Sequence, residues 1–271
     1  MINLSVEKNE NDASEAFTKQ SVVFDAIYSN DTIINYKRDR VRQHVLKYLK
    51  PESKILELNS GTGEDAIYFA GLGHHVHATD ISTGMQEILL QKTAPYRDRI
   101  SQEICSYTQL GKLQYHGSYD HIFSNFGGLN CTGELDKVLL SFDALLKPGG
   151  KVTMVIIPPF CLWETLLVFR GKFKTAFRRF FSSKGRTAHI EGTYFKCFYY
   201  KPSFIINTLQ KSFKAMGMEG LCTIVPPSYI EGFAEKHPKA YNFLKNKENK
   251  LKATWPWKYM GDYFIITLEK K

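Results

Sequence analysis

The chain has 271 residues, 43% hydrophobic and 14% aromatic, enough for a sizeable core in one large domain with a substantial insertion. Its 36 basic against 27 acidic residues leave a net charge of +9, which directs attention to anionic partners: nucleic acid, an anionic membrane surface or an acidic substrate. No run approaches the roughly 18 apolar residues of a membrane-spanning helix, and the five scattered cysteines, odd in number and without metal spacing, read as reduced cytoplasmic thiols.

The first seventeen residues, MINLSVEKNENDASEAF, hold no apolar signal core and read as a mobile polar lead-in. Residues 13–49 carry helical spacing, with Phe24, Ile27 and Tyr28 followed by Val41, Val45, Leu46 and Leu49. Pro51 and Glu52 then punctuate the chain. Ile55 to Leu58 predicts a buried strand, Asn59 to Gly63 a glycine-bearing turn, and Glu64 to Leu72 a helix stopped by Gly71 and Gly73. Val76 to Thr79 predicts a second strand ending in Asp80. An acid about twenty residues beyond a glycine turn is the ribose-reading half of a nucleotide-binding βαβ unit. Gly61, Gly63 and Ala66 also satisfy the loose dinucleotide pattern. Glu57, Glu64 and Asp65 weigh against a dinucleotide, because carboxylates at that helix N-terminus repel a pyrophosphate. They suit a ligand without phosphate and with positive charge, as in the sulfonium and ammonium of S-adenosylmethionine.

Farther along, Ile81 and Met85 are placed to pack on an adenine ring, within or before a helix at 83–92. Residues 100–104 predict a third strand and Tyr119 to Phe123 a fourth, running into SNFGGLNC, so that Asn125 to Asn130 fall at the ligand-binding end of an open parallel sheet. An amphipathic helix at 135–146, the turn Lys147 to Gly150 and a β-branched strand at 151–157 follow. In the next stretch Phe169, Phe173, Phe177 and Phe180 form a helical stripe flanked by Lys172, Lys174, Arg178 and Arg179. Packing on its own domain, a membrane surface, or a soluble anionic or carrier-bound substrate all remain open for it. No nucleic-acid-binding module stands beside it. Residues 189–200 alternate as a hairpin would, a helix is predicted from Pro202 through Met216, and two strands at 218–225 and 263–269 close the fold around a second excursion.

ELNSGTGED and TDIS resemble the first and second motifs of the class I S-adenosylmethionine-dependent methyltransferases, small-molecule type. The resemblance implies an α/β fold: a Rossmann-like seven-stranded, mostly parallel sheet with an antiparallel last strand, helices on both faces, and an α/β insertion as substrate lid. It divides the chain into a helical lid (1–50), the cofactor-binding core (51–157), a lid insertion (158–201) and a closing part (202–271) with a second insertion at about 226–260. It further implies that AFTKQSVVFDAIYSN folds over the cofactor with Phe24 and Tyr28 lining the site, and that Arg38 or Arg40 pairs with the cofactor carboxylate. Where relatives often place an acid for the adenine amino group, this sequence offers Cys105, Ser106 and Tyr107, so Ser106 or a backbone group is the expected contact. Asn125, Phe126 and Gly127 match the strand end that approaches the reactive methyl. The expected binding set is therefore Glu57, Asn59, Gly61, Thr62, Gly63, Asp80, Ile81, Met85, Ser106, Asn125, Phe126, Gly127, Tyr28 and Arg40.

The expected function is S-adenosylmethionine-dependent O-, N- or C-methylation of a small molecule, aromatic or lipid-like, with S-adenosylhomocysteine as product. A non-catalytic binder of the same fold and a NAD(P)-dependent oxidoreductase are the alternatives. No metal constellation is visible and no catalytic base is assigned, although His116, His189, Tyr194 and Tyr199 are candidates. The basic stretch 169–186 is the expected point of any peripheral contact with an anionic membrane.

Overall fold

A computed structural model describes residues 6–113, 116–180, 182 and 184–271. Five strands lie parallel: β1 (Lys54–Leu58), β2 (His75–Asp80), β3 (Ile100–Ile104), β4 (Tyr119–Ser124) and β5 (Leu146–Ile156). β1 and β4 are almost wholly buried because helices cover both sheet faces, which explains their near-continuous apolar runs. A separate antiparallel hairpin is formed by β6 (Arg186–Ile190) and β7 (Thr193–Cys197). β8 (Phe213–Leu221) and β9 (Tyr263–Lys270) complete the main sheet in the order β3-β2-β1-β4-β5-β9-β8. β9 runs antiparallel to both neighbours and is wedged between β5 and β8. The last strand is thus the reversed one, as the resemblance implied.

The polar lead-in is not a lead-in from residue 6 onward. It belongs to α1 (Val6–Tyr28), because Ala13 and Ala16 are buried and Asn9 reaches across the fold. Asn9 Nδ2 donates to the Cys131 carbonyl (2.6 Å), and its Oδ1 accepts from Lys196 N (2.6 Å). α2 (Thr32–Leu46) begins at Asp31, whose carboxylate accepts from Ile34 N (2.8 Å), a side-chain cap. α3 (Glu64–Gly71) and α4 (Thr83–Lys92) complete this side of the sheet, where Val41 and Val45 of α2 and Phe69 of α3 pack on Ile55, Phe123, Val155 and Ile265. α1 lies across α4 and the β6–β7 hairpin. α5 (Leu135–Leu145) packs on the opposite face, and its turn into β5, expected as a discrete loop, is a bulge within that strand.

The insertion differs from its expected single helix. It is broken into α6 (Leu162–Leu166), a 3-10 turn at Leu167–Arg170 and α7 (Phe173–Ala176), with Gly171 in a left-handed conformation (φ +71°) interrupting the stripe. α8 (Pro202–Leu209) ends seven residues before Met216, because Phe213 already pairs with Lys270 of β9. The second excursion holds α9 (Phe233–Lys236) and α10 (Pro238–Leu251). Fully buried Glu248 of α10 fixes it to the core: it accepts from the N–H groups of Cys222, Thr223, Ile224 and Val225 at the end of β8, and from Tyr36 Oη (3.1 Å). Beneath the sheet a buried polar chain links four elements: His121 Nε2 to Thr153 Oγ1 (3.0 Å), Thr153 to Thr267 (2.7 Å), and Thr267 to His44 Nε2 (3.0 Å).

Candidate active site

The strand ends of β1, β2 and β4 open into a cavity of about 370 Å³ roofed by α1. That volume falls in the range of small-molecule sites. Two of its lining residues end strands with unusual backbone: Asn59 (φ +48°) after β1 and Phe126 (φ +45°) after β4, a conformation side chains rarely adopt. Asn59 is held there by side-chain bonds, accepting from Ser124 Oγ (2.8 Å) and donating to the Asn125 carbonyl (3.2 Å). A Cβ on Gly61 (φ +55°) would meet no atom within 4 Å and would project into open space. On Gly63 it would lie 2.8 Å from Leu89 Cγ, so that glycine exists for the packing of α4 against the turn.

Asp80, at the tip of β2, accepts from Gly61 N (2.9 Å) and Ser82 N (2.8 Å), which aims the carboxylate along the turn. Burial raises its pKa, opposed by these backbone bonds. Glu57 is buried, and its pKa is raised well above the carboxylate range by that burial and then by Asp65. Asp65 is engaged by Arg42 Nε (2.6 Å) and Asn125 Nδ2 (2.6 Å), and Glu64 by Lys92 Nζ (2.6 Å). Lys92 also grips Asp25 of α1 (2.7 Å), whose other oxygen accepts from Thr62 Oγ1 (2.6 Å), so the roof is tied to the turn beneath it. Among the described residues, three buried polar atoms of the wall have no hydrogen-bond partner: Glu10 Oε1, Glu57 Oε2 and Arg38 Nε. Buried groups left in this way are costly unless a ligand completes them.

Ten of the expected residues line this one cavity: Tyr28, Glu57, Asn59, Gly61, Thr62, Asp80, Ile81, Met85, Asn125 and Phe126. Four do not. Gly63 packs on Leu89, and Gly127 is turned toward β5, its N–H donating to the Val155 carbonyl (2.9 Å). Ser106 is occupied by Glu10, to whose Oε2 it donates (2.6 Å). Arg40 faces away, locked between Glu219 (3.2 Å) and Glu248 (3.2 Å), while its neighbour Arg38 lines the cavity. The sequence reading missed Glu10, Lys37, Ser228 and Tyr263. Glu10 had a signal: an acid absent after β3 leaves a role that an acid on the covering helix can take. Lys37 had only its position beside Arg38. Its ammonium lies 5.1 Å from the Tyr263 ring centre, 5.8 Å from that of Phe126 and 3.7 Å from Asp262. Although burial opposes its charge, Tyr263 and Asp262 keep its pKa above the ordinary lysine range.

None of the candidate bases lines the cavity. His189 is stacked on Tyr194 (4.4 Å) in the outer hairpin, Tyr199 lies under Arg179 (5.6 Å), and His116 is exposed. Cys161, Glu164 and Asp262 gather closely enough to hold a cation, and Arg179 supplies one, pairing with Glu164 (2.6 Å) and Asp262 (2.7 Å).

Residues 55–150 match the family described as "Methyltransferase domain". The squalestatin tetraketide synthase of Phoma sp. (strain C2932) is 31% identical over 144 residues, 47% of this chain, and the chain spans about a twentieth of that relative's length (5%). The demethylmenaquinone methyltransferase of Clavibacter sepedonicus is 29% identical over 174 residues, covering 63% of this chain and 67% of the relative. In structure, the chain is similar to the 1,6-didemethyltoxoflavin-N1-methyltransferase of Burkholderia thailandensis, solved with 1,6-didemethyltoxoflavin and S-adenosylhomocysteine, at a TM-score of 0.59 and 14% identity, covering 98% of this chain and 91% of that one. Strand order and the match over residues 55–150 together make this part of the chain similar to methyltransferase domains, and the fold similar to that of the 1,6-didemethyltoxoflavin-N1-methyltransferase.

Proposed function

We propose that the protein transfers a methyl group from S-adenosylmethionine to a small molecule that is aromatic or lipid-like. The observation that carries this reading is the set of unpartnered wall atoms. Glu57 Oε2 and Glu10 Oε1 present acceptors, and Arg38 Nε a donor, around one cavity already bounded by Asp80. A ligand with an ammonium, a carboxylate, an adenine amino group and a ribose diol has a partner for each. In this reading Asp80 takes the ribose hydroxyls, Ile81 and Met85 flank the adenine, Glu10 accepts from its amino group, Arg38 binds the carboxylate, and Glu57 faces the ammonium. A NAD(P) pyrophosphate, by contrast, would meet Glu64 and Asp65 at the N-terminus of α3.

S-adenosylmethionine supplies an electrophilic methyl carried on a positively charged sulfur. Alignment and exclusion of water are then what this chain's residues contribute, through the α1 roof and the aromatic wall of Phe24, Tyr28, Phe126 and Tyr263. The acceptor half lies against Phe126, Tyr263, Ser228 and Lys37. Burial pushes the Tyr263 hydroxyl up to about 12, and Lys37 stays protonated, so both act as donors toward an acceptor's oxygen rather than as bases near neutral pH. The five free thiols accord with a cytoplasmic setting for the reaction.

Calorimetric titration with S-adenosylmethionine, S-adenosylhomocysteine and NADH tests the reading. The first two are expected to bind in the micromolar range and NADH not at all. Asp80→Ala is expected to weaken both by about 1–3 kcal/mol, the cost of a lost charged hydrogen-bond partner. Binding of NADH alone would overturn the assignment.

A further inference from the structure

The residues 165–190 contain no acid, and the one acid just before them, Glu164, is buried against Arg178 and Arg179. Along this segment four phenylalanines face outward: Phe169 is 85% exposed, Phe173 58%, Phe177 44% and Phe180 48%. Leu166 (40%) adds to them, and the rings of Phe177 and Phe180 stand 6.0 Å apart. Burying such rings within the chain would be favourable, so their joint exposure calls for an external partner. Between them lie the exposed Arg170, Lys172 and Lys174, none with an acidic partner among the described residues. The expected role of Arg178 and Arg179 in this surface is corrected by the structure. Arg179 is buried, donating to the carbonyls of Pro158 and Asp262, whereas Arg178 stays exposed but is paired with Glu164. These two arginines fasten the segment down, and its outer face carries the phenylalanines, Arg170, Lys172, Lys174 and the neutralised Arg178.

We infer that this face, from Leu166 to Phe180, is a docking surface for an anionic lipid bilayer. The chemistry is complementary on both counts: aromatic rings enter the headgroup–acyl boundary while lysine and arginine meet the phosphates. The anchorage also places the surface by the cavity, since Arg179 holds Asp262 and the same carboxylate faces the cavity's Lys37 (3.7 Å). Under the methyltransferase reading this would bring a lipid-like acceptor to its site, but the docking surface stands without that reading.

Sedimentation of the full chain with vesicles of phosphatidylcholine, with and without a quarter phosphatidylglycerol, tests the inference. Binding is expected to the anionic vesicles only, falling steeply between low salt and ~0.5 M salt. K172E/K174E should weaken it by about fivefold or more for each charge lost. F169A/F173A should weaken it at least tenfold, with S-adenosylmethionine affinity and thermal unfolding unchanged, because both rings are exposed. Absence of wild-type binding to anionic vesicles would overturn the proposal, as would undiminished binding by the two variants. A wild-type dimer in solution that F169A/F173A dissociates, without vesicle binding, would assign the face to self-association instead. Since cofactor titration is a separate readout, failure here and failure of the methyltransferase reading are distinguishable.

Discussion

Two glycines two positions apart in the turn after β1 do different work, and substitution separates them. Gly61→Val directs its side chain into the cavity at a positive φ, so we expect loss of S-adenosylmethionine binding with a stability cost of only about 1–2 kcal/mol. Gly63→Ala drives a methyl into Leu89 and should lower the melting temperature more than it lowers affinity in the protein that remains folded. Calorimetry beside thermal unfolding checks both; equal effects on affinity would return Gly63 to the ligand site. The same division separates the adjacent arginines. The sequence offers Arg38 and Arg40 equally, since both stand on one helix at a spacing that cannot say which side faces the cofactor. Only the positions of Glu219 and Glu248, some 180 and 210 residues later in the chain, decide that Arg40 is structural.

Among the elements, α10 shows how a surface excursion is bound to a core. Glu248 collects four backbone N–H groups together with Tyr36 and Arg40, with no solvent to replace any of them. Glu248→Ala would orphan the whole set, and Arg40→Ala would leave a buried carboxylate unpaired. Each is expected to cost about 3–5 kcal/mol in urea unfolding, whereas Arg38→Ala should spare stability and reduce cofactor affinity. Stability losses under about 1 kcal/mol for the first two would show that the network relaxes onto water. α1 illustrates the opposite case. Its residues are too polar to announce a buried helix, and its place is set by individual bonds from Asn9, Thr18 and Asp25 to distant parts of the chain. Hydrophobic periodicity located the sheet and the helical spacing from residue 13 onward but not the first turns of α1, and it failed at 169–180, where the correct three- and four-residue spacing spans a break at Gly171.

At the scale of the whole molecule, pH should expose the buried chain under the sheet. Burial drives His121 down to about 3 and lowers His44 as well. The unfolded chain therefore takes up these protons first, near pH 6.5, and stability falls as pH drops below that value, continuing for His121 until about pH 3. The slope is on the order of 1.4 kcal/mol per pH unit for each histidine involved. Glu219, depressed by its bonds to His44, Lys47 and Lys252 despite burial, adds its own loss only as pH falls through the carboxylate range. The difference between urea unfolding at pH 7 and at pH 5 contains the histidine loss, opposed by buried Glu57, whose raised pKa favours the folded state as pH falls. His121→Gln should shift that difference in favour of pH 5; an unchanged difference would remove His121 from the cause. Much of the fold was legible because parallel strands buried on both faces and the turn residues between them write strong local signals. The polar completion of the site was not, since Glu10, Lys37 and Tyr263 converge from three separate regions of the chain. The placement of β9 between β5 and β8 bears on how the protein is made. As the polypeptide emerges vectorially from the ribosome, β5 has an unsatisfied edge and β8 has nowhere to dock until residues 263–270 appear. Synthesis thus passes through a stage with open strand edges, the stage at which chaperone capture competes with aggregation and at which a stalled ribosome would do most harm.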